Sequence, residues 1–76
     1  MNNQRRSKLK KIRDVLNNVS HDIDYLLDKE IECREALPEK LQNSGQWDDL
    51  DMCASYLEEA SVKLDEVIHC IDSAAA

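Results

Sequence analysis

The feature that most constrains this chain is the spacing of its apolar residues, which recur in alternating steps of three and four. The first run reads Leu9, Ile12, Leu16, Val19, Ile23, Leu26, Glu30, Cys33 and Leu37, with Glu30 as its polar member. The second reads Trp47, Leu50, Ala54, Leu57, Ser61, Leu64, Ile68, Ile71 and Ala75, with Ser61 polar. This alternation is the a/d seam of a heptad repeat, the pattern of helices that pack lengthwise. Neither run contains an internal Gly or Pro. The spacing predicts a helix over about residues 4–36, roughly 50 Å long at 1.5 Å per residue. A second helix is predicted over about 45–73.

Composition supports an all-α reading. One Gly and one Pro leave too few turn residues for a multi-stranded sheet. The 76 residues suffice for a single domain, 1–76. No apolar run approaches the ~20 residues that cross a bilayer, so no membrane partner is expected. The N-terminal Met-Asn-Asn-Gln-Arg-Arg lacks the apolar stretch of a secretory signal. With three widely spaced cysteines, 33, 53 and 70, the expectation is reduced thiols in a cytoplasmic protein.

Between the helices lies Pro38-Glu39-Lys40-Leu41-Gln42-Asn43-Ser44-Gly45, and the turn is expected over about 37–44. Pro38 disfavours helix at Leu37. Ser44 is placed to cap the second helix, with Asp48, Asp49 and Asp51 where the helix dipole favours anions. So short a connection makes the helices antiparallel neighbours. Charge tests that hairpin. With Leu9 and Trp47 as a positions, the e positions are Arg13, Ser20, Leu27 and Arg34 in helix one. In helix two they are Asp51, Glu58, Asp65 and Asp72. Folding about residue 42 sets Arg13 opposite Asp72 and Arg34 opposite Asp51, ion pairs that fix register more than they add stability.

The predicted fold is thus an all-α, coiled-coil-like antiparallel two-helix hairpin. A hairpin has one seam and no second layer, so its burial barely offsets chain entropy. Val15, Leu27 and Ile31 widen the apolar stripe of helix one, and Cys53, Ala60 and Val67 form a small-residue strip on helix two. Those six residues are the candidate self-association surface. The expectation is a homodimer forming a four-helix bundle, with basic tips brought toward acidic tips. The competing expectation is that a different protein covers the strip.

Catalytic chemistry is not expected. The sequence has no nucleophile-and-base set, no Gly-rich phosphate loop and no paired-carboxylate motif, and thin helical rods rarely enclose a pocket. Glu30 and Ser61 are read as polar seam residues that specify register. A metal site would need three or four converging ligands, and no Cys-x-x-Cys or His-x-x-x-His spacing occurs. Cys33 and Cys53 are expected as small apolar core residues, and Trp47 as core beside Leu37. No catalytic residue, metal or cofactor is assigned.

Charge is strongly sorted. Six basic residues precede the first acid, Asp14, whereas residues 14–76 hold four basic residues against all sixteen acids. Arg5, Arg6, Lys8, Lys10 and Lys11 are candidate phosphate contacts, though no aromatic side chain interleaves them for base stacking. The acids offer the favoured reading. Asp48, Asp49, Glu58, Glu59, Asp65 and Glu66 decorate helix two, and acidic rows on a rigid rod suit a basic groove built for nucleic acid.

The turn carries a resemblance. Leu37-Pro38-Glu39-Lys40-Leu41-Gln42-Asn43-Ser44 between two heptad helices resembles small proteins of Gram-positive phages and mobile elements. That group has a Leu-Pro-Glu-Asn-Leu-Gln-x-Ser-Glu turn before a helix with repeated Leu, Glu and Ala. The likeness covers the turn and most of helix two, departing at Lys40 and Gly45. It implies a mobile-element context, where compact acidic proteins often inhibit larger host proteins, and it assigns no catalytic residue. The sequence therefore points to a non-catalytic protein-interaction module, an inhibitor of a host nucleic-acid-handling enzyme in the anti-CRISPR manner. The alternatives are a DNA-binding accessory protein using the basic arm and a structural assembly factor.

Overall fold

A computed structural model describes all residues, 1–76, as two long helices folded back on each other. Helix α1 spans Asn3–Glu35, a short 3-10 turn spans Glu39–Leu41, and helix α2 spans Gly45–Ala75. No strand is present, and the rod measures 59 × 14 × 12 Å. The chain is an all-α helical hairpin.

Local chemistry sets each boundary. The Asn2 side chain accepts a hydrogen bond from the Arg5 backbone N–H at 2.8 Å, capping α1. The helix stops one residue before Ala36, whose N–H still reaches Glu32 O at 2.9 Å. Pro38 then opens the 3-10 turn, and the Leu41 N–H closes it on the Pro38 carbonyl at 2.8 Å. Asn43 takes the left-handed conformation, φ 66°, which Asn tolerates better than most residues. Ser44 then caps α2, accepting from the Trp47 N–H at 3.3 Å while its hydroxyl donates to the Leu41 carbonyl. Cap and turn are thus one unit.

Three long-range bonds define the register. Arg13 donates to Asp72 at 3.1 Å, Arg34 to Asp51 at 2.6 Å, and the Ser61 hydroxyl to Asp24 at 2.6 Å. Each pair of residue numbers sums to 85, so the hairpin runs in one register along its length. Both arginine–aspartate pairs expected from the heptad assignment are present. The polar seam residue Ser61 meets a carboxylate across the gap instead of lying idle.

The roll of α1 differs from expectation. On α2 the inward residues are those of the a/d seam, from Trp47 to Ala75. On α1 the inward row is Leu9, Arg13, Leu16, Ser20, Ile23, Leu27, Glu30, Arg34 and Leu37, all half-buried or buried. These are the a and e positions. The expected d residues Ile12, Val19, Leu26 and Cys33 point out of the hairpin, Leu26 with half its surface exposed. The cause lies in the e row: Arg13 and Arg34 lay apolar stems along the seam and carry their charges to aspartates on α2. Ser20 between them is small and only 6% exposed. Cys33 and Cys53, expected in the core, are both exposed.

Two substitutions test the turn. Ser44→Ala removes the cap and should lower stability by about 1 kcal/mol in urea denaturation. Gly45 has nothing near the position of an added Cβ and no positive φ, so Gly45→Ala should raise stability by ~0.4–1 kcal/mol.

Candidate interaction surfaces

Helical geometry converts the roll of α1 into two different broad sides. One side carries Ile12, Val19, Leu26 and Cys33 of α1, flanked by Val15, Asp22 and Lys29, with Lys63 and Glu66 of α2 at its margin. From α2 it receives Cys53, Tyr56, Ala60, Val67, Cys70 and Ala74. Shallow hollows confirm the sidedness: Leu9 borders one with Val67, Cys70 and Ala74, and Glu30 borders another with Cys53, Tyr56 and Leu57. Residues on this side pair at equal height across the groove, Val19 with Val67 and Leu26 with Ala60. It is an uncovered apolar side.

The opposite side is acidic. Asp24 and Asp28 of α1 lie there with Asp48, Glu58 and Asp65 of α2, all exposed. Asp51 and Asp72 belong to the same side but are neutralised by Arg34 and Arg13. Glu58 and Asp65 sit between them and make no ion pair, because the facing α1 residues are Leu27 and Ser20. Val62, also exposed, is an apolar residue within this carboxylate field.

The candidate residues from the sequence distribute over both sides. Of the acidic set, Asp48, Glu58 and Asp65 share the acidic side, Glu59 and Glu66 occupy the outer edge of α2, and Asp49 turns toward the apolar side. Glu59 is held by Lys63 at 2.9 Å, and that hydrogen bond lowers its carboxyl pKa and raises that of the lysine. Of the self-association set, Val15, Cys53, Ala60 and Val67 belong to the apolar side. Leu27 instead fills the hairpin seam, and Ile31 lies half-buried on the acidic side. The exposed row Ile12, Val19 and Leu26 was hidden from sequence reasoning, which assigned it to the interior. The available signal was Leu27, the one apolar residue of the e row.

The basic residues gather at one tip. Arg5, Lys8, Lys10 and Lys11 are exposed, and Lys8 and Lys11 border a polar hollow with Gln4 and Ser7. Arg6 is half-buried, with its Nε shielded from water and without a hydrogen-bond partner. None of these five joins an ion pair. At the turn end, Arg34 stacks over the Trp47 ring, 5.4 Å from its centroid, while holding Asp51 and Glu35. Burial alone would lower the Arg34 pKa, but the hydrogen bonds to Asp51 and Glu35 outweigh it and raise it. At the other end the Asp72 hydrogen bond raises that of Arg13.

No His, Cys, Asp or Glu side chains gather in threes as a metal site would need, and the three cysteines are free. No helix is long and apolar enough to cross a membrane. Compared with protein-family models, curated proteins and solved structures, the chain has no match in any of the three.

The Arg34 cluster is the tighter of the two clamps, its side chain 20% exposed against 33% for Arg13. Arg34→Ala should therefore lower the thermal midpoint more than Arg13→Ala. Only Arg34→Ala should shift Trp47 fluorescence, because the guanidinium leaves the ring.

Proposed function

We propose that this chain is a non-catalytic protein-interaction module that presents its acidic side to the basic groove of a larger protein. The observation that carries this reading is the segregation of the surface. Glu58, Asp65 and Asp48 stand unpaired on one side, while the apolar surface lies on the other. Uncompensated carboxylates on a rigid helical pair offer a fixed negative field that steers encounter with a cationic groove. Such grooves are built for phosphate backbones, so the natural target is a nucleic-acid-handling enzyme, and occupancy would inhibit it. The resemblance of the Leu37–Ser44 turn to phage and mobile-element proteins supports a host enzyme as that target.

The test uses immobilised chain in host lysate. Wild type should retain a nucleic-acid-binding protein that a duplex oligonucleotide elutes, and an Asp48/Glu58/Asp65→Lys variant should lose it. Reversal of Glu59 and Glu66, on the outer edge, should have a smaller effect. Equal retention by wild type and the triple variant, or elution that ignores the duplex, would refute the reading.

A second reading rests on the unpaired basic tip. If Arg5, Arg6, Lys8, Lys10 and Lys11 hold DNA phosphates, binding must fall steeply with salt and vanish when the five are replaced by Ala.

A further inference from the structure

We propose that the apolar side is covered by a second copy of this chain, with the two turns at the same end of a four-helix bundle. The proposal concerns the side opposite the acidic one and does not depend on how that side is used.

Area supports self-pairing. The chain exposes 5708 Å², whereas a compact monomer of 8.7 kDa exposes about 4,700 Å². The excess of about 1,000 Å² is comparable with the roughly 800 Å² each partner buries in an ordinary stable interface. Only three residues are buried, Ser20, Ala54 and Ala75, so the hairpin has almost no interior of its own. A face-to-face dimer supplies one.

Charge selects the geometry. Two identical rods can meet on this side about two different two-fold axes. With the axis across the rods, the turns point apart and each helix lies on its own counterpart. Near the axis Asp22 then faces the partner's Asp22, and Lys63 faces the partner's Lys63. With the axis along the rods, the turns share an end and α1 lies on α2 of the other copy. Residues at equal height within one chain then meet between chains, with no freedom to slide. Asp22 and Lys63 sum to 85, the register of the observed bonds, so each Asp22 lies beside the partner's Lys63. Both side chains flank the apolar side, and Lys63, 68% exposed while it holds Glu59 of its own helix, has further donors for Asp22. Apolar layers match as well: Leu26 lies over Ala60, Val19 over Val67 and Cys33 over Cys53. This geometry differs from the sequence-based expectation of basic tips meeting acidic tips: it sets the two basic tips side by side, a repulsion that salt limits to a reach of about 8 Å. Charges on the docking side itself decide.

Geometry makes the test direct. In a Cys70→Ser background, diamide, which accepts the two thiol hydrogens, should join Cys33 of one chain to Cys53 of the other. The product runs at dimer mass under non-reducing conditions, and peptide mapping gives the 33–53 bond. A bridge within one chain would leave monomer mass. Sedimentation of the untreated protein should give a dimer. Asp22→Lys and Lys63→Asp should each weaken it about fivefold, from two symmetric exposed pairs, and the double variant should restore it. Circular dichroism at fixed concentration distinguishes lost pairing from lost helix in each variant. Three results would overturn the proposal: a monomer at all concentrations, a dimer that bridges only through Ile12→Cys and Cys33, or a 33–53 bond only within one chain.

Discussion

The arginine–aspartate clamps near the two ends of the rod are the constraint on which the rest of the structure depends. Arg13 with Asp72 and Arg34 with Asp51 stand about thirty ångströms apart along α1, and together they fix both the height and the roll of one helix against the other. Neither is a strong source of stability, since exposed pairs contribute little against their own desolvation and entropy. Their effect is geometric. By drawing the e row of α1 inward they turn the d row outward, and an apolar surface that would have closed the hairpin becomes available for assembly.

Much of this was legible in the amino acids. Steps of three and four gave both helices, Pro38 and Ser44 gave the turn, and the sign of the residues at e positions gave the register. The roll of α1 was not legible. A binary pattern of apolar and polar residues counts arginine as outside, yet the stems of Arg13 and Arg34 are long enough to lie in the seam with their charges at its edge. Leu27, also at an e position, then fits the seam better than Leu26. Cys33, a d residue of α1, moved to the surface for the same reason, whereas Cys53 is exposed because it lies outside the a/d seam of α2. The acidic side was legible residue by residue but not as a side, because its membership follows from the roll.

The chemical difference between the two sides gives order to an otherwise odd composition. Of the ten large hydrophobic residues exposed, six share the apolar side: Ile12, Val15, Val19, Leu26, Tyr56 and Val67. Here the carboxylates of Glu58, Asp65, Asp24 and Asp28 share one side, broken by Val62 and Ile31, and Leu26, Val19 and Val67 share the other.

Arg13 and Arg34 also make α1 a cylinder with two competing ways to lie. Rows d and e flank the same a row, roughly 50° to either side of it. The d row is filled by Ile12, Val19 and Leu26; the e row by Leu27 and the stems of Arg13 and Arg34, with Asp72 and Asp51 taking hold of the arginine heads. Concentrated salt would loosen that hold and let the cylinder turn about its own axis, swallowing Leu26 and expelling Leu27. The uncovered patch would then disappear without a single backbone hydrogen bond being broken.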